Sequence, residues 1–175
     1  GERRLLSIVS AGKAYLDVRQ ALSDLGLDAD TCHRLGIRLY KPGLIWPMDK
    51  EVLNNFALAS QAVLVVEEKR PVMEDQVARH LYSVDARQRP ALAGKEDLRG
   101  APLLPSVGEL TVGVIRHAIK TLLDQLNLTD AGIATTLDGV GHAVPHDPRL
   151  ELGELVGRVG AREHAQDALH GIAGQ

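Results

Sequence analysis

Two kinds of apolar pattern alternate along this chain. One is the short unbroken run; the other is a longer stretch in which apolar residues recur every three or four positions. The clearest run is Ala62-Val63-Leu64-Val65-Val66, which breaks at once into Glu67-Glu68-Lys69-Arg70-Pro71. A run that short and apolar predicts a strand buried on both faces, as inside a parallel sheet. Leu5 to Ser10, Ile37 to Tyr40 and Pro90 to Ala93 are further strand candidates. Between them lie helical patterns. From Lys13, the residues Ala14, Leu16, Val18, Ala21, Leu22 and Leu25 repeat at helical spacing and Gly26 closes the run.

Asp28 caps a brief predicted helix reaching about Leu35, and Asp49 caps one carrying Val52, Leu53, Phe56 and Ala57. Pro71 suits a first helical turn ahead of Val72, Met73, Val77, Leu81 and Tyr82, with Glu74 and Asp75 placed to favour the helix dipole. Ser106 to Leu110 leads into the last helix, with Val114, Ile115, Ala118, Ile119, Leu122, Leu123 and Leu126 on one face. The order β-α-β-α-β-α-β predicts an α/β fold of three layers, α/β/α, with a mostly parallel sheet of about four to five strands. The expected division is residues 1–127 as this domain and 128–175 as a tail, partly helical. The tail holds eight of the seventeen glycines and four of the seven histidines, and its glycines at 157, 160 and 171 weigh against a stable helix.

Composition narrows the function classes. Net charge is −3, so no basic excess draws the chain to nucleic acid or an acidic membrane. Aromatics are 3%, too few for base-stacking platforms. Cys32 is the sole cysteine, which leaves no internal disulfide and no cluster of thiolate ligands. The expectation is a reducing compartment, most simply the cytoplasm. No apolar run reaches the length of about 20 residues that a membrane helix needs. Gly1-Glu2-Arg3-Arg4-Leu5-Leu6 lacks the pattern of a signal peptide and has the look of a cut edge.

Candidate chemistry is sparse. Ser10, Gly12 and Lys13 sit where a strand passes into a helix, so free N–H groups there offer a weak anion site. The stretch has neither Walker spacing nor G-x-G-x-x-G, and a tight turn with a surface lysine is the favoured reading. Glu67 and Glu68 are paired carboxylates at a strand exit, a position where acid–base work is done when pKa values split. Lys69 and Arg70 beside them favour solvated ion pairs instead. His142 and His146 have the spacing of a metal pair, but Pro145 and Pro148 oppose a helix there, so surface-loop histidines are expected and no metal site. Trp46-Pro47 either docks a partner or anchors a loop.

Taken together, five ordered segments resemble the indolepyruvate ferredoxin oxidoreductases, members of the 2-oxoacid:ferredoxin oxidoreductase superfamily. They are Ser10 to Val18, Gly36 to Lys41, Trp46-Pro47, Val65 to Pro71 with Glu74-Asp75-Gln76, and Leu103 to Ser106 with Gly108-Glu109-Leu110. The resemblance covers about residues 5–125 and is to the family's middle domain, which is similar to the C-terminal domain of transketolase.

The resemblance implies an enzyme that uses thiamine diphosphate and Mg2+ to decarboxylate an aryl 2-oxoacid oxidatively. It would pass the acyl group to coenzyme A and electrons through iron–sulfur clusters to ferredoxin. It also implies that the thiamine-binding domains and clusters lie elsewhere, so no catalytic residue and no bound cofactor is expected on this chain. The expected role is structural. Trp46, Glu67, Glu68, Lys69 and Arg70 are the interface candidates, the thiamine-binding domains or subunits the partners. Such a domain is expected to show an uncovered sheet edge or to pair as a homodimer. The alternative is a free-standing module holding an anionic small molecule, such as a coenzyme A or nucleotide phosphate, at Ser10–Lys13 and Glu67–Arg70.

Overall fold

The computed structural model describes residues 5–128. Its elements run β1 (Leu6–Ser10), α1 (Gly12–Asp24), α2 (Ala29–Leu35), β2 (Ile37–Tyr40), α3 (Lys50–Ala57), β3 (Ala62–Val66), α4 (Val72–Tyr82), β4 (Ala91–Ala93) and α5 (Val112–Gln125). Every strand and helix predicted within these residues is present, with ends displaced by a residue or two. The expected tail, residues 128–175, and its histidine pair lie outside the described residues save for Leu128.

The four strands form one parallel sheet in the order β2-β1-β3-β4. β1 pairs with β2 from Leu6 opposite Ile37, and with β3 from Leu6 opposite Ala62. Strand side chains alternate faces, and here both faces are covered. Leu6, Ile8, Ala62, Leu64 and Val66 pack against α1 and α5, through Val18, Leu22, Ile115 and Ile119. Val9, Val63 and Val65 pack on the other side against α3 and α4, through Leu53, Phe56, Met73 and Val77. The predicted central run is therefore buried on both sides, each of its five residues at 0–1% exposure.

Two serines of β1 show how polar atoms are accommodated in that core. Ser7 bonds the Ser60 hydroxyl and the Phe56 carbonyl. The Ser10 hydroxyl donates to the Val66 carbonyl at 2.8 Å, which satisfies it inside the sheet. β2 is an edge strand of the sheet among the described residues, with Arg38, Leu39 and Tyr40 half-buried. Among the described residues no helix is long and apolar enough to cross a membrane.

The strand order has one consequence for function. β1 and β3 are neighbours, yet the helix after β1 packs on one face of the sheet and the helix after β3 on the other. Their outgoing loops splay apart. In open α/β sheets this switch point is where a crevice opens at the carboxyl ends of the strands.

Candidate functional site at the carboxyl edge of the sheet

A cleft of about 910 Å³ occupies that crevice. Four segments line it, one from beyond each strand: Ala11–Ala14, the loop 41–45, the stretch from Glu67 to Met73, and Ser106–Gly108. Much of the wall is apolar, from Ile45, Val72, Met73 and Val107. Of the interface and anion candidates, Gly12, Lys13, Glu67, Glu68, Lys69 and Arg70 are thus brought together. Ser10 is not among the lining residues, because its hydroxyl is spent on Val66.

The acid pair divides. Glu68, Lys69 and Arg70 are exposed, but Glu67 is only 7% exposed and turns inward. Its carboxylate accepts the Met73 N–H at 2.8 Å and the Glu74 N–H at 2.9 Å, the first free donors of α4. This corrects the solvated ion pair expected for it. α4 begins after Pro71, which has no side chain able to cap, and Glu67 supplies the missing acceptor from six residues upstream. Held in this way, the carboxylate serves as the cap of α4.

Two further residues hold the rim together; Gln76 entered the sequence reading only as part of a resembling segment, and Lys95 did not stand out. Gln76 is buried on α4; its Oε1 accepts the Met48 N–H at 2.9 Å and its Nε2 donates to the Ile45 carbonyl at 2.8 Å. It pins the loop that carries Trp46. The detectable signal is a glutamine beside Met73 and Val77 on the helix's apolar face. Lys95, just past β4, donates its ammonium to the Glu67 carbonyl at 2.8 Å and to the Pro105 carbonyl at 3.2 Å. It ties the end of β3 to the segment leading into Ser106–Gly108. Partial burial lowers the Lys95 pKa, against the pull of Glu67 and Glu74. Burial likewise raises the Glu74 carboxyl, which accepts the Lys95 N–H at 3.0 Å.

The cleft's other helix is different. α1 starts at Ala11, and no side chain caps it. Gly12 has φ +56 with open space where a Cβ would stand. Lys13 leans back to Asp17 at 2.7 Å, and that hydrogen bond raises its pKa. Lys41 lies over the Tyr15 ring, 5.2 Å from its centre. Lys69 is one of two non-glycine residues with positive φ among those described, at 60°.

Trp46 is 64% exposed, and its peptide bond to Pro47 is cis. Its chain neighbours Leu44 and Ile45 are exposed too, as are Val72 and Val107, which line the cleft with Ile45. These are five of the nine large apolar side chains left exposed among the described residues. No three His, Cys, Asp or Glu side chains among the described residues are placed to hold a metal ion. A lone cysteine cannot supply the thiolate set of a cluster.

The chain is 29% identical over 147 residues to the indolepyruvate oxidoreductase subunit IorA of Thermococcus kodakarensis, covering 82% of this chain and 20% of that subunit. It is 29% identical over 123 residues to the same subunit of Pyrococcus abyssi, covering 70% and 16%. The chain therefore spans about a fifth or less of these relatives. A solved structure described as a split-gene transketolase, inactive beta4 tetramer, aligns at TM-score 0.48 and 22% identity, over 70% of this chain and 39% of that one. The model of the indolepyruvate ferredoxin oxidoreductase middle domain matches residues 1–144. That match covers most of the sequence, and the chain belongs to the indolepyruvate ferredoxin oxidoreductase middle-domain family.

Proposed function

We propose that this chain is the structural and docking domain of an indolepyruvate:ferredoxin oxidoreductase, working in the cytoplasm. The whole enzyme would decarboxylate aryl 2-oxoacids oxidatively with thiamine diphosphate and Mg2+, form the acyl-coenzyme A, and reduce ferredoxin through iron–sulfur clusters. This chain's share is to present its carboxyl edge to the thiamine-binding domains or subunits.

The observation that carries the reading is the exposure of Ile45, Val72 and Val107 in the lining of one cleft, with exposed Leu44 and Trp46 flanking Ile45 along the chain. Exposed apolar side chains gathered in this way mark an interaction surface, and tryptophan is a frequent anchor of one. Exposed Glu68, Lys69 and Arg70 form a polar rim of both signs beside it, the usual surround of a docking patch. Among the described residues one side of β2 has no partner strand, a place a flanking segment or a second copy could take. The chain's donor sets fit neither an iron–sulfur cluster nor a metal held by the described residues, so no step of the reaction is assigned to it.

Indolepyruvate-dependent reduction of ferredoxin by the purified chain is expected to be absent. Robust turnover without another polypeptide would overturn the proposal. In the assembled enzyme, Trp46→Asp and Val107→Asp should weaken association of the parts at least tenfold. Unchanged assembly in both variants would move the docking surface elsewhere.

A further inference from the structure

The segments that line the cleft are not held equally. The loop 41–45 is pinned through Ile45 by Gln76, and the exit of β3 is fixed by the Glu67 cap. The connection from β4 to α5 is held differently. Leu104 and Leu110 anchor it, each 3% exposed. Between them Ser106, Val107, Gly108 and Glu109 are exposed, and Gly108 turns through φ +92 with open space where a Cβ would stand. Among the described residues, Pro105–Glu109 is tied to the rest of the fold by one hydrogen bond, from Lys95 Nζ to the Pro105 carbonyl at 3.2 Å. Segments with few bonds and much exposure are the ones that open locally while the core stays closed.

Lys95, by contrast, is built in firmly. Its N–H donates to Glu74 Oε2 at 3.0 Å, and its carbonyl accepts the Leu103 N–H at 2.8 Å. Its ammonium also reaches the Glu67 carbonyl at 2.8 Å, so one half-buried charge bridges the exit of β3 and the strap Pro105–Glu109. Both carboxylates that act on this ammonium, Glu67 and Glu74, are already engaged by backbone N–H groups. Its hydrogen bonds therefore go to two backbone carbonyls. A charged donor makes such bonds roughly twice as strong as a neutral one does.

We infer that Lys95 is a positioning residue for docking: its ammonium latches the strap Pro105–Glu109 and presents Val107 already ordered to the thiamine-binding domains or subunits. This role rests on the docking surface proposed above and adds what sets its shape. A loose strap must be ordered when a partner arrives, which costs affinity; a latched one has met that cost during folding. The latch also explains why a lysine stem is half-buried beside two acids without pairing with either.

The test reads the strap first and docking second. Amide order parameters are measured on the 15N-labelled full chain. In Lys95→Met those of Ser106, Val107 and Gly108 should fall from about 0.85 to below about 0.6, while those of β3 and α4 stay as in the parent. Lys95→Arg, which keeps a charged donor, should restore them. If Lys95→Met does not fold, Lys95→Gln, too short to reach Pro105, takes its place. In the assembled enzyme Lys95→Met should weaken association about three- to tenfold. With Val107→Ala already in place, the further loss should fall below about twofold, because Lys95 acts through Val107. A strap as rigid in the variant as in the parent would overturn the inference, as would a loss of affinity fully additive with that of Val107→Ala. If Val107→Asp and Trp46→Asp leave assembly unchanged, it is the docking surface that fails, and the state of the strap is still read on the chain alone.

Discussion

Replacing Glu67 separates a structural carboxylate from a functional one. The Glu67 carboxylate engages the N–H groups of Met73 and Glu74 at 2.8 and 2.9 Å, and both residues open α4. A net contribution of about 1.5–3 kcal/mol attaches to a hydrogen bond with a charged acceptor. A negative charge at a partly buried helix start adds up to about 2 kcal/mol. These terms overlap, because both describe one carboxylate meeting the same N–H groups. Glu67→Ala should therefore cost about 2–4 kcal/mol, since Met73 is 3% exposed and little water can replace the lost acceptor. Glu67→Gln keeps one acceptor oxygen but sets an amide N–H₂ against the helix start, and should cost about 1–2 kcal/mol.

Glu68 is the internal control. It is exposed and makes no hydrogen bond among the described residues, so Glu68→Ala should stay within about 0.5 kcal/mol of the parent. Urea unfolding of the three variants measures the difference. With a slope of about 2 kcal/mol per molar, Glu67→Ala should unfold about 1–2 M earlier than Glu68→Ala. If the two alanine variants unfold within about 0.3 M of each other, Glu67 is not the cap of α4 and the structural reading of the pair is wrong.

Three further outcomes follow from the same rim. Gln76→Leu strips partners from the Met48 N–H and the Ile45 carbonyl; it should cost about 2–4 kcal/mol and lower the fluorescence anisotropy of Trp46, the only tryptophan. Unchanged anisotropy would mean that Gln76 does not hold this loop. Gly94→Ala would set a Cβ against the Glu74 carboxylate and push it off the Lys95 N–H, costing about 1–3 kcal/mol. With Glu74→Ala already in place the added cost should fall below about 1 kcal/mol, and full additivity in denaturant unfolding would refute the clash. The Asp97 carboxyl is held below its usual range, first by the Ala101 N–H and also by Gln125 and the Arg99 N–H. A depressed folded pKa stabilises above the ordinary aspartate value and is lost as pH falls through the folded one. The stability gap between the parent and Asp97→Asn should therefore be full at pH 6 and shrink on acidification below about pH 4. A gap independent of pH would exclude this role.

Much of the fold was legible because its signals are local. Ala62–Val66 is apolar without a break since both faces of β3 are covered, and Asp28 and Asp49 stand one residue before their helices because capping acts within a turn. The site was legible only in part. Gly12, Lys13, Glu67 and Arg70 lie on different loops, and only the strand order, which sends α1 and α4 to opposite faces, brings them to one cleft. The roles of Ser10 and Gln76 depend on Val66, Met48 and Ile45, partners 28 to 56 residues away, a range that no periodicity reports.

Glu67 marks the boundary between what was legible and what was not. α1 starts after Ala11 and α4 after Pro71, and neither residue has a side chain that can cap. A helix start lacking Ser, Thr, Asp or Asn leaves free N–H groups that something else must meet. That deficiency is visible in the sequence at both places. At α4 the answer comes from within the chain, as Glu67 folds back over the first turn. At α1 none of the described side chains answers, and the start opens into the cleft beside Lys69 and Arg70. The same local defect is thus closed at one lip of the crevice and left open at the other. This asymmetry is why the two acids of the strand exit cannot share one role: Glu67 completes the fold, and the exposed Glu68-Lys69-Arg70 remains to meet whatever the crevice receives.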